Sequence, residues 1–254
     1  MRPAVPVIHA GFGHLGLGGA EVQSLHFDVH AYGENHAHAV SRAAEADYTQ
    51  LMMDTNLISF YQPSGLLGIT DYSGPAEYHE KTKAPEWSGG VCVGDSVYVY
   101  DGAGLWPTLA HELTHVVFYE YMADLAFNPE FRWVNEGLAT YEECKAAGAQ
   151  EGVPFVDIFA PLRGALRRHP LSIHDLVKLV PAQVDKDYTV SLWYAQAEAL
   201  VQYMIQKGGT LGFYQFLKAL KSGKTLDEAV ALAFPNRGWA SLGDLYGTWL
   251  ATQQ

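Results

Sequence analysis

The sequence HELTH at residues 111–115 constrains the fold more than any other feature of the chain, because it brings two histidines and a glutamate into one short stretch. In a helix, residues four apart lie on one face, so these imidazoles would be close enough to share one cation. Pro107 suits a first helical turn, and Leu109, Leu113 and Val116 form an apolar stripe opposite the histidines. The segment therefore predicts a helix that packs through this stripe and turns both histidines away from the core.

A zinc site needs a further ligand beyond the two histidines. A catalytic Zn²⁺ site takes three protein ligands and leaves one position open for water. Residues 133–143 predict a second helix, with Glu136, Thr140 and Glu143 along one face. Glu136 can complete the site, and Glu143 can accept a hydrogen bond from a ligating histidine. Asn135 is a further candidate beside the ligands, although a short polar side chain there also suits the start of a helix.

The two segments HELTH and WVNEGLATYEE together resemble those of the gluzincin metallopeptidases, particularly the peptidase MA-like domains and, more distantly, the M1 aminopeptidases. The resemblance implies a zincin-like fold and a zinc cofactor held by His111, His115 and Glu136. It also implies that Glu112 is the general base and that Glu143 is the outer glutamate of the NEGxAxYxE pattern. The implied reaction is hydrolysis of a peptide or protein substrate by a zinc-activated water, without a covalent intermediate.

The resemblance also suggests a donor that stabilises the tetrahedral intermediate. The aminopeptidases carry a downstream helix with a tyrosine in this role, and its counterpart here is Tyr194. Core packing explains Tyr194 equally well, because Leu192, Trp193 and Leu200 lie close to it in the sequence. Three other residues are alternative donors: Tyr188, His174 and Tyr203.

Two departures from the aminopeptidase pattern bear on the choice of substrate. Twenty residues separate His115 from Glu136, so the connection between the two helices must differ. The upstream GxMEN motif of the aminopeptidases, whose glutamate holds the substrate N terminus, is replaced by GVCVG at residues 90–94. The sequence therefore predicts a zinc endopeptidase.

Two alternatives remain open from the sequence alone. The chain could be a catalytically idle zinc domain that acts as a binding or structural module, although Glu112 would then have little purpose. It could also be an aminopeptidase that holds the substrate N terminus with another acid. The candidates for that acid are Glu77, Glu80 and Glu86.

The composition excludes several other classes of protein. The chain has 254 residues, of which 48% are hydrophobic and 17% charged, so it can bury a sizeable core. Its net charge of -12 would repel nucleic acid and anionic membrane surfaces. Neither a signal peptide nor a stretch of transmembrane length is found, which predicts a soluble, cytoplasmic protein. A secreted or periplasmic location is expected instead if a leader has been removed, and the oligomeric state is open.

The pattern along the chain predicts an α+β fold of two lobes with a cleft between them. Residues 1–20 are rich in Gly, Pro and His and predict a loose N-terminal arm. Residues 21–121 mix strand and helix signals, which predicts a lobe with a small twisted sheet that ends in the HELTH helix. Residues 122–254 carry repeated helix start signals and predict a helical lobe.

Individual elements can be predicted within these lobes. Strands are expected at residues 25–31, 66–70 and 91–99, and a helix is expected at residues 36–53. The segment of residues 91–100 is either a strand at the edge of the cleft that pairs with substrate, or a buried central strand. Helix starts are predicted at Ser172, Thr225 and Ser241.

The remaining candidates are not assigned to the site. Cys92 and Cys144 have no metal-binding spacing, and whether they pair is open. The early histidines share no ligand spacing that would form a metal cluster; they are His9, His14, His26, His30, His36 and His38. The aromatic run Phe213, Tyr214 and Phe216 is predicted to pack helices together.

Overall fold

A mixed sheet forms the first half of the chain. The computed structural model describes residues 11–184 and 187–253. Within these residues the strands are β1 (Gly19–Gln23), β2 (Phe27–Tyr32), β3 (Leu67–Tyr72), β4 (Gly90–Val93) and β5 (Ser96–Tyr100). Their spatial order is β1-β2-β3-β5-β4. The central strands β2, β3 and β5 are parallel, whereas β1 and β4 pair antiparallel at the two edges.

Helices make up most of the rest of the described chain. They are α1 (Glu34–Asp54), α2 (Pro75–Thr82), α3 (Leu105–Met122), α4 (Arg132–Glu151), α5 (Arg163–Arg168), α6 (Ile173–Lys178), α7 (Asp187–Tyr203), α8 (Thr210–Lys221), α9 (Leu226–Ala233) and α10 (Leu242–Ala251). Short 3-10 turns cover Ala123–Phe127, Pro129–Phe131, Ala160–Leu162 and Pro181–Gln183, and a π-helical turn, Met204–Gly208, extends α7. The predicted α+β class is confirmed.

Different helices pack on the two faces of the sheet. Alternate residues of a strand point to opposite faces, and Val29, Ile69 and Val97 belong to the main core that α1 and α3 complete. The other face carries Tyr72 and Tyr98, against which Tyr78 of α2 packs in a separate cluster. The sheet thus separates α3, which bears the HELTH sequence, from α2.

Most of the elements predicted from the sequence are confirmed. Helix α1 covers the predicted residues 36–53, and Pro107 lies in the first turn of α3, as predicted. The side chains of Ser172, Thr225 and Ser241 each accept a hydrogen bond from the backbone N–H three residues later. The aromatic run Phe213, Tyr214 and Phe216 is buried, as predicted.

The first edge of the sheet differs from the prediction. Strand β1 was not predicted, and its first two residues fall in the range assigned to the loose arm. The next strand begins at Phe27, so Leu25 lies in the preceding turn with 79% of its surface exposed. Strand β1 is short and has exposed residues at alternate positions, so it gives little apolar signal. The division of the chain into an arm and two lobes stays a prediction.

Helix α4 lies between α3 and α7 and contacts both. A Cβ atom at Gly137 would lie 2.5 Å from the carbonyl oxygen of Ala197, so the backbones of α4 and α7 touch where they cross. Only glycine permits so close an approach. Since Glu136 precedes Gly137 and Tyr194 lies one turn before Ala197, this crossing brings the two predicted site residues near each other.

None of the described helices combines the length and the apolar character needed to cross a membrane.

Candidate metal centre

Three ligand atoms from α3 and α4 converge on one point. His111 Nε2 and His115 Nε2 lie 3.1 Å apart. Glu136 Oε2 is 3.8 Å from His111 Nε2 and 3.7 Å from His115 Nε2. Among the described residues, His111, His115 and Glu136 form the group whose ligand atoms are close enough to hold one metal ion.

The spacing of these atoms fits a zinc ion. Zinc binds histidine nitrogen at about 2.0 to 2.1 Å, so two ligands of a tetrahedral site are about 3.3 Å apart. The three distances of 3.1, 3.7 and 3.8 Å lie on either side of that value. Two imidazoles and one carboxylate also form a donor set that leaves the fourth position open, as in catalytic zinc sites.

Each histidine is held through the nitrogen that faces away from the other ligands. His111 Nδ1 lies 2.9 Å from Glu143 Oε2. His115 Nδ1 lies 3.0 Å from Asn135 Oδ1. A carboxylate oxygen and an amide oxygen both accept hydrogen bonds, which favours the tautomer with the proton on Nδ1. Both Nε2 lone pairs then point toward the shared position, as metal binding requires.

The electric field at this position favours a positive charge. Burial by itself would lower the pKa of His111, but the hydrogen bond to Glu143 and its charge act in the opposite direction. The charges of Glu112 and Glu136 add to this effect, and together they raise the pKa of His111 to about 9. A half-buried position surrounded by three carboxylates is one where a divalent cation offsets an unfavourable concentration of negative charge.

Glu112 lies beside the ligands and against the edge strand β4. A Cβ atom at Gly90 would lie 2.9 Å from Glu112 Cγ and 2.8 Å from Thr108 Cγ2, so the strand approaches α3 more closely than a larger residue would permit. The thiol of Cys92, two residues along β4, is close enough to Glu112 for a hydrogen bond. Glu112, a residue of α3, is thus packed against the edge strand of the sheet.

Tyr194 of α7 faces the third ligand. Burial, the charge of Glu136 and a side-chain hydrogen bond to Glu136 all raise the pKa of the Tyr194 hydroxyl. The charge of Glu112 acts in the same direction, and that of Arg132 acts against it. The hydroxyl therefore keeps its proton at neutral pH and remains a hydrogen-bond donor.

The alternative donors lie in other surroundings. The ring centroids of Tyr203 and Trp239 are 5.7 Å apart, and the two side chains pack together. Tyr188 has 58% of its surface exposed, and the largely exposed His174 lies 3.6 Å from Asp175. Of the four predicted donors, Tyr194 is the one that the structure brings to the ligands.

Two residues near the centre were not predicted to belong to it. Tyr119 follows His115 by one turn, its ring is nearly parallel to that of His115, and it forms a side-chain hydrogen bond with Asn135. Burial and the charges of Cys92 and Glu136 raise the pKa of Tyr119 to about 12. The spacing of four residues from His115 is a signal that could have found Tyr119. No signal in the sequence distinguishes Cys92.

Three of the early histidines lie beside separate acidic side chains. His26 pairs with Glu45 and His36 pairs with the buried Asp71, both through side-chain hydrogen bonds. His30 lies 3.6 Å from Asp28 on the same strand. No metal-binding group that includes these residues occurs in the described chain, and His9 lies outside the described residues.

Both cysteines are free thiols, so the possible disulfide is not formed. Cys144 is buried within α4, whereas Cys92 is on β4 and half-buried.

A comparison with known protein families identifies the superfamily to which the chain belongs. The family model described as "Peptidase MA superfamily" matches residues 62–252, three quarters of the chain. The chain belongs to the peptidase MA superfamily. The matched region contains α3, α4 and α7, and so all of the residues described above that form the centre. No curated protein matches the chain.

Membership of the peptidase MA superfamily agrees with the geometry at a general level. It supports a peptidase-like domain, and the His111, His115 and Glu136 group can bind a metal ion. A peptidase-like domain in turn implies a peptide or protein substrate.

Proposed function

We propose that this protein is a zinc-dependent peptidase that cleaves within peptide chains. The observation that carries the proposal is the convergence of His111 Nε2, His115 Nε2 and Glu136 Oε2 on one point, with Glu112 beside them. The membership of the peptidase MA superfamily supports it. The hydrogen bonds of Glu143 and Asn135 support it further, because they leave both Nε2 atoms free for a metal ion.

The proposed roles of the side chains follow from their positions. A zinc ion held by the three ligands would supply a water of lowered pKa and an electrophile for the scissile carbonyl. Glu112 accepts the proton of the attacking water at a carboxylate oxygen and delivers it to the leaving amine. The Tyr194 hydroxyl keeps its proton, and on substrate binding it would exchange its hydrogen bond to Glu136 for one to the oxygen on which negative charge develops.

Strand β4 gives the substrate a surface to pair with. It is an edge strand of the sheet and packs against Glu112, where Gly90 permits the close approach. An extended peptide that pairs with the free edge of β4 would form main-chain hydrogen bonds and pass over the ligands. A strand edge can pair with the middle of an extended chain, which supports an endopeptidase.

The acids considered for an aminopeptidase give that alternative little support. Glu77 accepts hydrogen bonds from Tyr32 and Ser73, and it belongs to α2, on the face of the sheet opposite α3. Glu80 and Glu86 are exposed to solvent.

The substitution Glu112→Gln tests the peptidase proposal. The variant should keep its zinc, because the three ligands are unchanged, and should lose cleavage of a denatured protein by a factor of about 100 or more. Zinc content and cleavage products are measured together. The matched control is Glu151→Gln, which changes an exposed glutamate at the end of α4 and should cleave like the wild type.

Three outcomes would overturn the proposal or part of it. Equal cleavage by the wild type and Glu112→Gln would exclude the assigned base. Full zinc occupancy without any cleavage by the wild type would indicate a zinc domain with a binding or structural role. Release of single residues from the N terminus, seen by mass spectrometry of the products, would replace the endopeptidase with an aminopeptidase.

A further inference from the structure

The connection between the two ligand helices presents an exposed aromatic ring. Phe127 lies at the end of the 3-10 turn Ala123–Phe127, between α3 and α4, and 77% of its surface is exposed. An exposed phenylalanine alone has little meaning, since most protein surfaces carry some apolar side chains. The contacts of this ring with the candidate metal centre distinguish it from the others.

Three rings form a continuous stack from the centre to the surface. The rings of His115 and Tyr119 have centroids 5.9 Å apart and an interplanar angle of 13°. The rings of Tyr119 and Phe127 have centroids 5.6 Å apart and an angle of 17°. One end of the stack is a proposed metal ligand, and the other end is a ring with most of its surface in solvent.

The stack is fixed at both ends. Asn135 forms side-chain hydrogen bonds with both His115 and Tyr119, which hold the first two rings in place. After Phe127, the N–H of Asn128 donates to the carbonyl of Leu125, and the Asn128 side chain accepts from the N–H of Glu130. The backbone beside Phe127 is thus held, and the Phe127 ring itself rests on that of Tyr119, which limits the entropy lost when the ring contacts a ligand.

The edge strand β4 passes alongside the part of α3 that carries Glu112 and Tyr119. Gly90, at the start of β4, contacts Thr108 and Glu112, and Cys92, two residues further along β4, is near Glu112 and Tyr119. A peptide paired with β4 would therefore pass Glu112 and Tyr119, whose ring stacks on that of Phe127. Phe127 would stand beside that peptide rather than on an unrelated surface.

We propose that Phe127 is a specificity-determining residue that binds an apolar side chain of the peptide substrate. The inference rests on the proposed peptidase function. The two ring-to-ring steps of 5.9 and 5.6 Å place the Phe127 ring at most about three to four residues of extended peptide from His115, at ~3.3 Å per residue. The preferred substrate carries a leucine or an aromatic residue at that one position.

Cleavage of a peptide series tests the proposal. Each peptide carries Leu, Phe, Ser or Asp at one position, from four residues before to four residues after the scissile bond, and kcat/KM is measured. The wild type should prefer Leu or Phe over Asp by about ten-fold at one position near the third residue, because one face of an apolar ring is buried there. Phe127→Ser should remove that preference, and Phe127→Leu should keep most of it.

Phe60→Ser is the matched control. Phe60 is also exposed, at 56%, and stacks on Tyr214 with ring centroids 4.3 Å apart and an angle of 15°. Its stack contains no proposed metal ligand, so this variant should keep the wild-type preference at every position. The exposure of both phenylalanines means that neither change should prevent folding, which thermal unfolding checks.

A binding measurement separates this inference from the proposed function. Fluorescence anisotropy of labelled peptides on the Glu112→Gln protein should show about ten-fold weaker binding of the apolar peptide once Phe127→Ser is added. A preference that is unchanged in Phe127→Ser, or an equal loss of kcat/KM at all positions, would overturn the role of Phe127. If the wild type cleaves no peptide, the peptidase proposal fails, while anisotropy still reports whether Phe127 binds apolar side chains.

Discussion

Helix α4 carries glutamates on two of its faces, and the two faces hold them in different ways. Toward α3, Glu136 and Glu143 lie against imidazoles, with 20% and 26% of their side chains exposed. Toward α1, Glu142 has 4% of its surface exposed and lies near Asp54, which pairs with Lys145. In the described part of the chain, Glu142 Oε1 has no hydrogen-bond partner.

The two faces offset their negative charge in different ways. Imidazoles neutralise carboxylates only if they gain a proton or share a cation. The raised pKa of His111 reflects the first response, and the Nδ1 contacts of His111 and His115 leave both Nε2 atoms placed for the second. At the second face Lys145 is the positive partner, and burial together with the charge of Asp54 raises the pKa of Glu142 well above its usual value. One face can bind a metal ion, and the other favours a protonated carboxyl group.

The largest effect is expected from removal of the third ligand. Glu136→Ala should lower zinc affinity by more than about 100-fold, because two imidazoles remain where a zinc site needs three protein ligands. Competition with a chromogenic chelator measures the affinity, and Glu151→Ala is the control. Zinc affinity equal to that of the wild type would show that Glu136 is not a ligand and would remove the distinction between the two faces.

A smaller effect is expected from the residue that supports His111. Glu143→Gln replaces the carboxylate 2.9 Å from His111 Nδ1 and should lower zinc affinity by about 10- to 100-fold. The adjacent substitution Glu142→Gln is the matched control, since it lies on the other face and should leave zinc affinity unchanged. A loss of affinity in Glu142→Gln as large as in Glu143→Gln would mean that the two faces are not independent.

The sequence predicts the first face of α4 better than the second because helical spacing is a local property. The separation of four residues between His111 and His115, and the face shared by Glu136 and Glu143, can be read without knowing the fold. The neighbours of Glu142 come from α1, about ninety residues earlier, so no local pattern identifies them.

Contacts between distant segments also explain why sequence patterns gave incomplete information on the site. Cys92 reaches the centre because β4 approaches α3 at Gly90, and that distance is set by the packing of the sheet. Tyr194 was predicted only through the family resemblance, because its contact with Glu136 depends on the crossing of α4 and α7 at Gly137. Tyr119 shares a helix face with His115, so its position could have been predicted, but its bond to Asn135 could not.

The smallest effect is expected at the second face and depends on pH. Burial raises the pKa of Asp47 from 3.8 to about 7, and the charge of Asp47 in turn raises the pKa of Glu142. A group whose pKa is higher in the folded state adds stability below its unfolded pKa and loses it as the pH rises through the folded pKa. The free energy of unfolding should therefore fall between about pH 4 and pH 7.

Glu142→Gln should reduce this pH dependence, because an amide stays neutral and can still donate a hydrogen bond to Asp54. At pH 8 the variant should be more stable than the wild type, whereas at pH 4 the two should be nearly equal. Urea unfolding in the presence of a chelator measures the free energy of unfolding at both pH values without a contribution from metal. Glu151→Gln serves as the control. A variant that is less stable than the wild type at pH 8 would show that the ionised form of Glu142 supports the fold, so that both faces of α4 hold charge.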